Sequence, residues 1–115
     1  MIHSCASHAR LRIERVHFSA ASAAFAKEWG LDPKRIGILG FSAGGHLSAT
    51  AMTNYDKRNY KPIEAIDQAS CRPDFGVLIY PAYLVDKETK TELSTELRIT
   101  KNTPPVFFAH AGDDS

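Results

Sequence analysis

Asp32-Pro33-Lys34-Arg35-Ile36-Gly37-Ile38-Leu39-Gly40-Phe41-Ser42-Ala43-Gly44-Gly45-His46-Leu47 decides the fold of this chain. Asp32-Pro33 starts a turn, because proline disfavours helix in the residue before it. Arg35 to Gly40 is short, mostly apolar and bounded by turn residues, which predicts a strand buried on both faces. Ala43 to Thr53 follows as a run of small and apolar residues and predicts a helix. Between strand and helix lies Gly40-Phe41-Ser42-Ala43-Gly44, which fits G-x-S-x-G. A nucleophilic serine needs that setting, a tight strand-to-helix turn that projects its hydroxyl. Gly40 and Gly44 are expected to remove side chains that would collide in the turn. The amide of Ala43 can then point at the oxygen of a tetrahedral intermediate, at the positive end of the new helix.

Seven Gly and nine Ser among 115 residues give the pentapeptide about a 3% chance of arising anywhere by random placement. The predicted strand before it and helix after it make a bare glycine-rich turn a poorer explanation. A phosphate loop is excluded, since neither GxxxxGK[ST] nor GxGxxG is present.

Outward from this stretch the elements alternate. Upstream, Phe18, Ala21, Phe25 and Trp29 recur at steps of three and four. That spacing predicts one face of a helix, with Trp29 in the core and Gly30 as the C-terminal stop. Downstream, Asn54 to Pro73 is polar and broken by prolines, with room for a short helix around Ile63 to Ala69. Phe75 to Tyr80 reads as a second buried strand, stopped by Pro81. Lys87 to Lys101 is charged and Thr-rich, a solvated excursion. Val106-Phe107-Phe108-Ala109 is a third apolar strand. This order is that of an α/β fold with a parallel sheet. Three parallel strands with no closing helix read as the middle of a larger domain.

Composition sets outer limits. A chain of 115 residues suits one small domain. Fourteen Lys+Arg against thirteen Asp+Glu leave a formal charge of +1. Such a balance offers nothing that would draw nucleic acid or an anionic membrane surface. No apolar run approaches the ~20 residues of a membrane span. Cys5 and Cys71 lack CxxC spacing and paired His ligands, so zinc is not expected. One disulfide is possible by number, and a reduced pair is the plainer reading. Met1 to Arg15 lacks the apolar stretch of about 7–15 residues that a secretory signal needs. Its Arg- and Ser-containing, acid-poor composition is shared by transit segments and by irregular chain starts. No compartment is assigned.

Residues 25–114 resemble the central part of an α/β-hydrolase, and more narrowly the serine esterases of the acetylxylan-esterase, feruloyl-esterase and hormone-sensitive-lipase-like group. The D-P-x-R-I lead-in at Asp32–Ile36 and G-x-S-A-G-G-H-L at Gly40–Leu47 carry the likeness. Pro104-Pro105-Val106-Phe107-Phe108-Ala109-His110-Ala111-Gly112-Asp113-Asp114 resembles the group's P-P-x-x-x-x-H-G-x-x-D. The resemblance implies a partial α/β-hydrolase fold, incomplete at both ends, with residues 1–22 unmatched and residues 23–115 forming the central part of the domain. It implies Ser42 as nucleophile, Ala43 N–H as oxyanion donor, and Asp114 as the acid that orients the catalytic histidine. Asp113 competes for that last role, since a one-residue slip exchanges the two.

The group's H-G-G-G-type oxyanion loop lies upstream of the nucleophile strand, and its histidine lies beyond the acid, in the order Ser, Asp, His. Neither is found in these 115 residues, which implies a truncated or frame-shifted reading frame of a larger esterase. His46, four residues after Ser42, packs near the elbow in the group and is not the base. His110 is expected to support the acid loop, and His3, His8 and His17 to be exposed. His110, Asp113 and Asp114 make a weak metal set, and no metal or cofactor is expected. Tyr80-Pro81-Ala82-Tyr83 could line an acyl or sugar pocket or pack against the excursion. Arg72-Pro73-Asp74 reads as a loop anchor. The implied activity is hydrolysis of short acyl esters, such as acetyl groups of plant polysaccharide. A non-catalytic α/β fragment or binding remnant, and a peptidase of the same fold, are the alternatives. The chain alone is expected to be inactive, for want of a base, and poorly soluble.

Overall fold

The computed structural model describes residues 25–57 and 65–112. Three parallel strands form one sheet in the order β1-β2-β3: β1 Gly37–Phe41, β2 Phe75–Ile79 and β3 Val106–Ala109. One α-helix, α1 (Ala43–Thr53), connects β1 towards β2, with a 3₁₀ turn at Ala65–Gln68 in the same connection. Parallel neighbours need such crossovers, because a tight hairpin can only join antiparallel strands. No helix among the described residues is long and apolar enough to cross a membrane.

The register sorts the side chains into two faces. Gly37, Leu39 and Phe41 align with Phe75, Val77 and Ile79, and Val77 and Ile79 align in turn with Phe107 and Ala109. The intervening residues Ile38, Gly40, Gly76 and Leu78 turn to the other face, where α1 packs on β1 and β2. The helix buries Gly45, Ser48, Ala49 and Met52, a three-and-four spacing that keeps them on one side. Leu78 is almost wholly buried beneath it. Burying Met52 and Leu78 contributes about 1.5–3 kcal/mol each. Gly76 makes this contact possible, since a Cβ there would collide with the Met52 thioether. The hydroxyls on α1 are satisfied locally: Ser48 Oγ donates to the Gly44 carbonyl at 2.8 Å, Thr50 to His46 at 3.0 Å and Thr53 to Ala49 at 2.9 Å.

The other sheet face corrects the expectation that Arg35–Gly40 and Phe75–Tyr80 are buried on both sides. Leu39 is 57% and Phe107 62% exposed among the described residues, and Phe41 and Phe75 are exposed with them. Among the described residues a helix packs against only one face of the sheet. Trp29 likewise lies outside the core, 53% exposed and stacked on Phe25 at 5.6 Å. Most of the predicted upstream helix, including Phe18 and Ala21, lies outside the described residues. Its end is clear. Gly30 has φ 69°, Gly30 N–H donates to the Lys27 carbonyl and Leu31 N–H to that of Ala26 at 2.7 Å. That pair of bonds around a left-handed glycine is the Schellman termination.

Two anchors fix the lead-in to β1. Ile36 N–H donates to Asp74 Oδ2 at 2.9 Å, and Asp74 N–H donates back to the Ile36 carbonyl at 2.7 Å. Arg72 Nε donates to the Asn102 carbonyl and its guanidinium lies over the Tyr55 ring. Arg72-Pro73-Asp74 therefore ties the sheet to its loops, in agreement with the sequence reading. Cys71 is a buried thiol whose Sγ–H donates to the Tyr55 carbonyl, and Cys5 lies outside the described residues.

Candidate active site at the C-terminal sheet edge

Ser42 is the single residue between β1 and α1. The strand runs apolar into it, and small residues let the helix start at once. Its backbone is left-handed, φ 49° and ψ −123°, a conformation that costs a non-glycine residue about 1–3 kcal/mol. The neighbouring backbone holds that strain in place. Ser42 N–H donates to the Ile79 carbonyl at 3.1 Å, and the Ser42 carbonyl accepts from Gly45, His46 and Ala82. A serine at a helix N-cap ordinarily folds its hydroxyl back onto the first turn. Here the side chain makes no capping bond, and the residue is exposed. The first turn carries no acidic side chain, so the positive end of the helix is uncompensated. Among the described residues nothing accepts from Ala43 N–H, which opens that turn.

Gly40 and Gly45 give the turn its room. A Cβ on Gly40 would run into the Gly44 carbonyl and, at 2.5 Å, Ser48 Oγ. A Cβ on Gly45 would lie 2.7 Å from Pro81 Cβ. The steric role expected of Gly44 is corrected: a Cβ there meets nothing within 4 Å. The helix turns the Gly45 position, one residue later, against the chain leaving β2.

His46 makes its side-chain contacts with the excursion and Tyr83. Its Nε2 lies 2.5 Å from Glu96 Oε1 without hydrogen-bond geometry, and its ring stands at right angles to Tyr83 with centres 6.1 Å apart. Asn54, at the far end of α1, donates to the Glu96 carbonyl at 2.9 Å. Helix α1 thus holds the excursion at two points. The excursion is mostly exposed and is tied to the residues before it through a Val85–Leu93 bridge.

The strands all point the same way, so Ser42, Tyr80–Tyr83 and His110 gather at one edge, where parallel sheets bind ligands. A cleft of about 620 Å³ opens there, between the excursion and the end of β3, with Pro81, Tyr83 and His110 in its lining. Ser42 is beside it rather than in it. Tyr80 turns instead towards Phe41, their ring centres 5.8 Å apart. Asp113 and Asp114, the alternatives for the acid, lie outside the described residues, as do His3, His8 and His17.

A profile of the alpha/beta hydrolase fold matches residues 5–113. The chain belongs to the alpha/beta hydrolase family. Among the chain's relatives is an acetylxylan esterase of Xylanibacter ruminicola, 38% identical over 69 residues, which are 60% of this chain and 12% of that protein. Another is named "Probable carboxylic ester hydrolase LipM" in Mycobacterium tuberculosis, 28% identical over 114 residues, covering 76% of this chain and 26% of that one. The crystal structure of an acetyl ester-xyloside bifunctional hydrolase from Caldicellulosiruptor lactoaceticus superposes with a TM-score of 0.73 at 33% identity. That match covers 90% of this chain and 44% of the other. The chain thus spans less than half the length of each of these proteins. It is an esterase-like alpha/beta hydrolase related to acetylxylan esterases.

Proposed function

We propose that this hydrolase is a serine-dependent carboxylic ester hydrolase that removes short acyl groups, acetyl above all, from polysaccharide or smaller esters. The observation that carries the reading is the left-handed backbone of Ser42 at an uncapped helix N-terminus. A strained, exposed serine whose hydroxyl does not cap its own helix suits a nucleophile better than a turn residue. The acetyl ester substrate follows from the kinship with acetylxylan esterases.

Ser42 Oγ attacks the ester carbonyl while its proton passes to a histidine base. The carbonyl oxygen becomes an oxyanion and takes the Ala43 N–H, helped by the positive helix end. Collapse expels the alcohol, which takes the proton from the histidine and leaves an acetyl-serine. Water, deprotonated by the same histidine, then releases acetate and restores Ser42. Asp114 orients the histidine, which in the order Ser, Asp, His lies beyond it in sequence. His46 is engaged with Glu96 and Tyr83 and serves the loop instead.

The test is hydrolysis of p-nitrophenyl acetate by the 115-residue chain and by Ser42→Ala, with and without added imidazole as a stand-in base. Little Ser42-dependent hydrolysis is expected without imidazole, and a clear Ser42-dependent increment with it. An increment that Ser42→Ala leaves intact overturns the nucleophile assignment. Fast Ser42-dependent hydrolysis without imidazole overturns the assignment of the base and returns it to His46 or His110.

A further inference from the structure

The cleft beside Ser42 has features that ester hydrolysis alone does not use. Its volume, about 620 Å³, is in the range of small-ligand sites. Two exposed rings line it, Tyr83 at 61% and Phe108 at 52% exposure. Lys87 and Lys90 line it too. The segment that presents them is conformationally costly: Tyr83 has φ 59° and Lys90 φ 54°, left-handed positions for bulky side chains without glycine's freedom. Tyr83 is held there from two sides, by the edge of the His46 ring and by Lys87 Nζ, 5.7 Å from its ring centre. His46 sits one helical turn after Ser42, so the wall of the cleft is fastened to the helix the nucleophile opens.

The charges of the described lining residues do not cancel. Among the described residues Asp86 is the only carboxylate in its lining, and one of its oxygens already accepts from Glu88 N–H at 2.9 Å and Thr89 N–H at 3.0 Å. Lys90 N–H closes the same turn on the Asp86 carbonyl at 3.0 Å. Asp86 is therefore committed to shaping the turn, against two lysines in the lining, Lys87 beside the Tyr83 ring and Lys90 on the turn itself. Aromatic faces suit the apolar faces of sugar rings. Two ammonium groups beside them suit an anion.

We propose, building on the esterase reading, that this cleft binds the sugar side of the ester and selects a carboxylate-bearing sugar: a uronic-acid-substituted xylo-oligosaccharide, with Tyr83 and Phe108 as platforms and Lys87 and Lys90 meeting the carboxylate. The substrate class is then an acetylated acidic xylan rather than a neutral one.

The test is a binding titration of the full chain, followed by NMR, with deacetylated glucuronosyl-xylotriose and with neutral xylotriose. At low salt the acidic sugar is expected to bind about tenfold more tightly, a preference that shrinks as salt screens the charges. Lys87→Met combined with Lys90→Met should abolish the preference, and the corresponding pair of arginine substitutions should keep it. Tyr83→Leu should weaken both sugars alike. Equal affinity for the two sugars overturns the proposal, as do failure to bind either and a preference that survives the paired methionines. Binding is read without turnover, so absence of Ser42-dependent hydrolysis counts against the esterase reading alone, and equal binding counts against this one alone.

Discussion

Replacing Gly45 with alanine and replacing Gly44 with alanine are the same chemical change at adjacent positions of α1, and the structure assigns them opposite signs. At Gly45 the new methyl would lie 2.7 Å from Pro81 Cβ and 2.9 Å from Pro81 Cα. Carbon atoms pack at about 3.5–4.0 Å, so roughly 1 Å of separation must be found. Neither partner yields easily. The contact on the Pro81 side includes backbone, next to Tyr80 at φ 35°, and on the helix side Gly45 N–H is bonded to the Ser42 carbonyl at 2.9 Å. Overpacking of this kind costs about 1–3 kcal/mol. At Gly44 the methyl meets nothing within 4 Å, and alanine in place of glycine within a helix stabilises by up to about 1 kcal/mol. The two variants should therefore differ by about 1–4 kcal/mol, a large part of the stability of a domain this size. Urea unfolding followed by far-UV circular dichroism resolves such a gap, provided the slope with denaturant is unchanged. Equal midpoints, or a lower midpoint for Gly44→Ala, would refute the assignment of the close approach to Gly45.

Asp74→Ala should lower stability by about 1–3 kcal/mol, because it leaves the half-buried Ile36 N–H without its acceptor; an unchanged unfolding midpoint would show that β1 does not depend on this anchor. Ser42→Gly should raise the unfolding midpoint above that of Ser42→Ala, since glycine alone accepts φ 49° without strain, and a Gly variant no more stable than the Ala variant would remove strain from the elbow. Backbone N–H groups of Thr89 and Glu88 hold the Asp86 carboxyl below the usual carboxylate range. Its contribution is thus complete above that range and lost as pH falls through the lower folded value. The amide signals of Glu88 and Thr89 should titrate together below the midpoint of a free aspartate; a midpoint at or above it contradicts the turn.

What the sequence made legible is what backbone chemistry dictates locally. The glycine spacing around Ser42, the apolar run before it and the small residues after it leave few conformations for that stretch, and α1 occupies the expected Ala43–Thr53. Gly30 ends the upstream turns because the Schellman bonds need a left-handed residue. The rest depends on neighbours distant in sequence. An apolar strand run reports that side chains avoid water, not whether an element lies over each face, so Leu39 and Phe107 read as buried and stand open. The G-x-S-x-G spacing likewise identifies a tight turn without naming what presses on it. Pro81, almost forty positions away, transfers the steric demand from Gly44 to Gly45. Tyr80, Tyr83 and Lys90 adopt left-handed backbone with no glycine or asparagine to announce it. Contacts such as His46 on Tyr83 and Tyr80 N–H on the Ala109 carbonyl at 2.6 Å hold those torsions in place. Local sequence rules fail in this segment, and it is also the segment that walls the cleft. That coincidence is the physical reason to look for substrate selection there, since strain persists where surrounding contacts over-determine it and such places cluster at binding sites.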